Sequence, residues 1–190
     1  MVSFLELVKK RYSVRRYSGR PVAREKIERC LEAARLAPSA CNAQPWQFIV
    51  VDDPGLKEEV AKTTFSPLVS FNKFSLQAPV LVVAVLEKSN LIAQVGGFLR
   101  KKEFNLVDLG IAAAHFSLQA AEEGLGTCIL GWFDEKKVRE ILGIPSGKRA
   151  ALIITLGYPE TAEIPEKKRK PPSVFRFYNR YGKNGELLPG

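Results

Sequence analysis

The chain has 190 residues, 46% hydrophobic and 26% charged, a balance that suits one soluble domain with a substantial core. No apolar run approaches the roughly 20 residues of a membrane helix. Three cysteines, Cys30, Cys41 and Cys128, are odd in number and lack C-x-x-C spacing, which argues against a disulfide framework or a zinc site. The start, Met1 to Glu6, has no basic, apolar and small-residue signal pattern, so the expected location is cytoplasmic. The net charge of +9 leaves nucleic acid, a membrane surface or an anionic small molecule as partners. Arg11, Arg15, Arg16 and Arg20 cluster near the start and Lys167-Lys168-Arg169-Lys170 near the end. Two such clusters either converge on one phosphate or form two solvated faces.

Phe4 to Lys10 reads as a short helix. Arg24 to Ala37 reads as an amphipathic helix, with Ile27, Leu31 and Ala34 on one stripe and Pro38 at its end. Trp46 to Val51 is a strand. Asp52-Asp53-Pro54-Gly55 is a turn that opens a helix over Leu56 to Thr64. Phe65 to Gln77 mixes aromatics with polar residues and is irregular. Pro79 to Leu86 has no alternation, as in a strand buried on both faces. Glu87 to Lys102 contains Gly96-Gly97 and reads as a break or a point of close approach.

Phe104 to Glu123 is the clearest helix, with Leu106, Leu109, Ala113, Phe116 and Ala120 in steps of three and four. It is small and apolar nearly all round, which predicts a central position. Leu125 to Phe133 is a strand ending in a Gly131-Trp132 bend. Asp134 caps a helix to Leu142, and Arg149 to Leu156 is another buried strand. Thr161 to Pro172 is polar, basic and extended. Val174 to Tyr181 carries four aromatics, which either pack on their own domain or wrap a partner. Four strands and unevenly spaced helices make the class α+β, a central sheet flanked by helices.

Two segments carry chemistry. In Pro38-Ser39-Ala40-Cys41-Asn42-Ala43-Gln44-Pro45-Trp46, two prolines fix φ, small side chains expose backbone, and amides donate and accept. That suits a planar heterocycle, and equally a helix-to-strand connection with Trp46 as a core anchor. In Arg11-Tyr12-Ser13-Val14-Arg15-Arg16-Tyr17, an extended backbone places Arg11, Ser13 and Arg15 on one side as an oxyanion site, although taken alone the run reads first as a solvated basic turn after a helix. His115, the only histidine, lies in a small-residue helical run and reads as packing.

These two motifs together resemble the nitroreductase family of flavin enzymes. Asp108 to Ala114 is similar to the family's long central helix, Gly124 to Asp134 to the strand after it, and Ile153 to Pro159 to its last core strand. Lys168 to Pro171 and Tyr178 to Gly182 are similar to its tail. The resemblance covers nearly the whole chain and implies a mostly antiparallel sheet in an intertwined homodimer. Residues 1–190 form one FMN-binding domain, with 160–190 as an exchanged C-terminal arm. It implies FMN as cofactor, NADH or NADPH as reductant, and a small-molecule acceptor such as a nitroaromatic or quinone. A specialised dehydrogenase, dehalogenase or flavin-cleaving enzyme, or a flavin binder without turnover, is the alternative. A nucleic-acid-binding domain rests on charge alone.

On matching positions the resemblance implies that Arg11 and Ser13 hold the phosphate and ribityl chain and that Arg15 sits at the pyrimidine edge. Pro38, Ser39, Ala40 and Asn42 come from the partner subunit. Asn72 reaches the flavin edge, Leu130 and Gly131 approach its central nitrogen, and Arg169 and Lys170, or Lys168, return to the phosphate. Tyr12 and Ala40 stand where the family commonly has a basic residue and a hydroxyl. The flavin brings its own redox chemistry, which accounts for a chain without an evident nucleophile or metal set.

Overall fold

The computed structural model describes residues 3–87 and 103–182. Residues 88–102, with Gly96-Gly97, and the arm beyond 182 lie outside the described residues. Helix α1, Phe4–Lys10, starts where the Ser3 side chain accepts the Glu6 amide. Helix α2, Arg24–Arg35, buries Ile27, Cys30 and Ala34. It stops short of the predicted Ala37, since a residue before proline disfavours helical ψ. Strand β1 is Trp46–Val51. Helix α3 is Pro54–Lys62, two residues earlier than predicted, because Asp53 caps the Leu56 amide and Pro54 fits the first helical turn. A 3-10 turn, Lys73–Gln77, closes the stretch read as irregular.

Strand β2, Val80–Leu86, is buried at every position. Helix α4 is Phe104–Glu122 and strand β3 is Gly126–Leu130, shorter than the predicted 125–133. Helix α5, Glu135–Leu142, is capped by Asp134 and ended by Gly143 at φ 63°. Strand β4 is Arg149–Gly157. Residues 162–171 have no regular structure beyond a bend, as expected of an extended tail, but a single helical turn, α6, Pro172–Phe175, follows.

The strands pair antiparallel in the order β1-β2-β4-β3, the α+β architecture expected. The buried run of β2 has a simple cause. Val80, Val82, Ala84 and Leu86 pack with α2 and α4, while Leu81, Val83 and Val85 pack with α3 and α5. Alternate residues thus feed two cores, one on each face of the sheet. On the first face Phe116 is wholly buried, its ring centroid 6.2 Å from that of Phe48; such a side chain contributes about 1.5–3 kcal/mol.

Helix α4 departs from the expected all-round burial. It buries Asp108, Leu109, Ala112, Ala113, Phe116, Ser117 and Ala120, but within this chain Val107, Gly110 and Ala114 are exposed. No helix among the described residues is long and apolar enough to cross a membrane.

Candidate functional site

Residues 11–15 lie beside the outer edge of β3. Ser13 bridges Thr127 in parallel, and the Val14 amide donates to Thr127 O at 2.9 Å. Val14 is buried, while Ser13 and Arg15 face outward and Arg11 is half-buried, so the predicted alternation holds. A glycine permits the approach. A Cβ on Gly126 would sit 2.3 Å from Val14 Cγ2 and 2.7 Å from its Cβ. Tyr12 is half-buried, and its phenol is pushed up by burial and by Glu163. Over four residue steps the segment spans about 13 Å.

The tail meets the start of this segment. Lys167 Nζ donates to Val8 O in the last turn of α1, where helix carbonyls lack intrahelical partners. Burial, then Arg11, then Arg169 hold the Lys167 ammonium below its usual range. Lys167 is thus within electrostatic reach of Arg11 and Arg169, the latter exposed and donating from Nη1 to Lys168 O at 2.8 Å. Lys167 lay outside the predicted set of Lys168, Arg169 and Lys170; Lys168 and Lys170 are exposed. Among the described residues, no carboxylate lies within ion-pair distance of Arg11, Arg15, Lys167 or Arg169. Cations without a carboxylate partner, with the Ser13 hydroxyl two residues beyond Arg11, are the kind of donor set that a phosphate dianion requires.

The other end of the segment leads to an open corner. The Arg15 guanidinium lies 6.0 Å from the centre of the Phe74 ring. Asn72, two residues earlier, is buried and donates from Nδ2 to Trp132 O at 3.1 Å. Phe71 packs against Trp132 with centroids 5.6 Å apart. Leu130 is buried, but Gly131 is exposed, and a Cβ there would meet nothing within 4 Å. Backbone at Gly131 is therefore open to a flat ligand. Cationic end, hydroxyl, guanidinium and open backbone follow in the order in which FMN presents phosphate, ribityl chain and ring, and the residues fit that group.

The 38–44 loop sits elsewhere. The Ala40 amide donates to Asp108 Oδ1 at 3.1 Å, and Asp108 Oδ2 is buried without a hydrogen-bond partner. Asp108 is on the second turn of α4, whereas Ser117 and Ala121 of that helix line a cleft of about 500 Å³ shared with Arg11 and Tyr12. Nine residues of helix separate Asp108 from Ser117, about 13 Å of rise. The structure thus does not bring Pro38, Ser39, Ala40 and Asn42 to Arg11 and Ser13 within one chain. The loop is internally tied, with the Gln44 amide on Ser39 Oγ at 3.0 Å and Gln44 Nε2 on Asn42 Oδ1 at 3.0 Å. Cys41, Asn42 and Gln44 hold φ of 51°, 51° and 46°, a region that costs non-glycine residues energy. Trp46, 9% exposed, is the core anchor.

Of the other candidates, Cys30 and Cys128 are buried. Burial pushes the Cys30 thiol up to about 12. It also raises that of Cys128 against the opposing pull of Arg15, Ser13 and Arg11. His115 Nδ1 lies 3.3 Å from Ala33 O, between α4 and α2, as packing requires. Asp108 and Lys167 escaped the sequence reading. Asp108 left one signal, an acid inside an apolar helical stripe. Lys167 left another, since residues 167 and 169 share a side in an extended tail.

Residues 8–71 and 66–158 match the sequence pattern of the nitroreductase family. An NADH dehydrogenase of Thermus thermophilus is 29% identical over 84% of this chain and 88% of its own. Rat iodotyrosine deiodinase 1 is 28% identical over 88% of this chain and 66% of its own length. An FMN-dependent nitroreductase from Clostridium difficile R20291 has a solved structure that superposes with a TM-score of 0.74. It is 29% identical, covering 94% of this chain and all of the other.

Proposed function

Since the chain belongs to the nitroreductase family, we propose that it is an FMN-dependent oxidoreductase. It takes electrons from NADH or NADPH and delivers them to a flat acceptor such as a nitroaromatic or a quinone. The observation that carries this reading is the uncompensated cationic group at one end of the 11–15 segment and the open Gly131 backbone at the other. Bound FMN supplies the electron-transfer chemistry.

The chain's own residues bind and orient. Arg11, Lys167, Arg169 and the Ser13 hydroxyl hold the phosphate. Arg15 sets a fixed positive charge at the pyrimidine edge, and Asn72, tied to Trp132, keeps the corner in place. The backbone at Leu130 and Gly131 would come close to the ring, and the open space at Gly131 would admit reductant and acceptor. Pro38, Ser39, Ala40 and Asn42 of a second copy would line the ring. A homodimer is supported by the exposed apolar residues of α4 and by the tail, where Phe175 is 77% and Tyr181 94% exposed. In the arm that begins at residue 160, Lys167 stays on its own chain through Val8, and residues 172–182 are the part that reaches the second copy.

Purified protein with flavin absorbance, bleached anaerobically by NADH or NADPH and restored by a nitroaromatic or quinone, is the expected result. A colourless protein that FMN cannot reconstitute overturns the reading. The likeness to the deiodinase favours one further acceptor class, halogenated aromatics, and halide release in the same assay tests it.

A further inference from the structure

Building on the proposed function, we infer that Tyr17 is a positioning residue for the anion-binding segment. Its hydroxyl belongs to a buried cluster of hydrogen bonds that ties residues 11–15 to β3 and β4. Tyr17 is 6% exposed, and its oxygen lies 3.0 Å from Val14 O and 2.6 Å from Thr155 Oγ1. The Tyr17 hydroxyl donates to Val14 O, a carbonyl that only accepts, and shares a second hydrogen bond with Thr155. Thr155 Oγ1 accepts the Cys128 amide at 3.1 Å and lies 3.3 Å from Cys128 O, a second acceptor for its hydrogen. The cluster therefore ties Val14 through Tyr17 to Thr155 on β4 and to both backbone groups of Cys128 on β3.

Val14 lies between Ser13 and Arg15. Its amide is already held by Thr127, so Tyr17 fixes its other polar group. Both peptide groups of the residue that aims the Ser13 and Arg15 side chains are thereby set, the amide by the edge of β3 and the carbonyl by the Tyr17 hydroxyl. The members are buried: Thr155 is wholly so and Cys128 is 3% exposed. Burial raises the Tyr17 phenol well above its ordinary range, so it stays a donor at any working pH. The ring has a separate, structural part. A Cβ on Gly157 would stand 3.0 Å from Tyr17 Cδ1 and 2.5 Å from Pro79 Cδ, so ring, proline and glycine fill one space. Tyr17→Phe keeps that packing and removes the hydroxyl alone.

The test compares wild type, Tyr17→Phe, Thr155→Val and Thr155→Ser. It measures dissociation constants for FMN and for riboflavin, which lacks the phosphate, together with amide hydrogen exchange over residues 12–16. Tyr17→Phe and Thr155→Val should weaken FMN about tenfold and speed exchange at Ser13 to Arg15. Riboflavin, which keeps the Arg15 contact but has no phosphate for Ser13, should weaken less, by about threefold, and Thr155→Ser should behave as wild type. Equal losses for both ligands, or unchanged exchange in Tyr17→Phe, overturns the inference. A wild-type chain that takes up no FMN refutes the proposed function instead, and the exchange comparison then decides the role of Tyr17 by itself.

Discussion

Residues 11–15 and residues 38–44 both present small and polar side chains to solvent, yet they are held in opposite ways. The first is welded to its own sheet: Val14 is buried, Thr127 takes its amide, and Gly126 gives up a side chain to admit it. The second leans on one buried carboxylate, with three non-glycine residues in the left-handed region. A segment welded to its own fold can serve a ligand alone. A strained loop anchored at Asp108, about 13 Å along α4 from the Ser117 end of the Arg11 cleft, has its proposed use in the neighbouring copy. Ligand-facing chemistry in a sequence therefore does not say which subunit's ligand it faces.

The sharpest way to break this contrast is Gly126→Val. The new side chain collides with Val14 and lifts the whole 11–15 segment. Overpacking of this kind costs about 1–3 kcal/mol, seen as a lower melting temperature. FMN affinity should fall about a hundredfold, equivalent to ~2.7 kcal/mol. Retained affinity would mean that residues 11–15 do not hold the cofactor.

Next in size is Arg11→Ala, which removes one charge-assisted contact worth about 1.5–3 kcal/mol, or roughly ten- to hundredfold in the FMN dissociation constant. Asp108→Ala strips the Ala40 amide of its acceptor, at about 1 kcal/mol, and should weaken FMN about fivefold. Combining these two variants in a hybrid dimer discriminates sharply. If strand and loop serve different subunits, one site in the hybrid carries both defects and the other carries none. Titration then shows half the sites at wild-type affinity; two sites each weakened by one defect, with none at wild-type affinity, would place one subunit's strand and loop in the same site.

The smallest effect concerns Lys167. Its ammonium is held below the ordinary range in the folded chain, so the unfolded chain keeps that proton to higher pH. Stability without ligand therefore rises as pH climbs toward 10.5. Wild type minus Lys167→Met should show a shallow upward slope of melting temperature in that direction, abolished by saturating inorganic phosphate. A slope that phosphate does not touch would separate Lys167 from the anion site.

Much of the scaffold is legible because it rests on local chemistry. The unbroken apolar run of Val80 to Leu86 announces burial on both faces, and Asp134 announces a helix start. The alternation of Arg11, Ser13 and Arg15 is readable because the segment is a strand in all but name. What stays hidden depends on distance through space. Four consecutive cations at 167–170 do not say which of them meets Arg11, since that depends on where Val8 ends α1. Helix α4 reads as apolar all round, but whether a neighbour covers Val107, Gly110 and Ala114 is no property of one chain. Tyr17 reads as one more aromatic until Thr155, far along the sequence, comes to lie 2.6 Å from its hydroxyl.

The contact between Lys167 and Val8 also has a consequence for the order of synthesis. It joins residues 159 positions apart, so the cationic group is incomplete until Lys167 has left the ribosome. The sheet from β1 to β4 lies entirely upstream of Lys167 and has the chance to form first. On the proposed function, cofactor capture then follows the sheet, and a nascent chain stalled before residue 167 would carry a folded scaffold with half the proposed anion site.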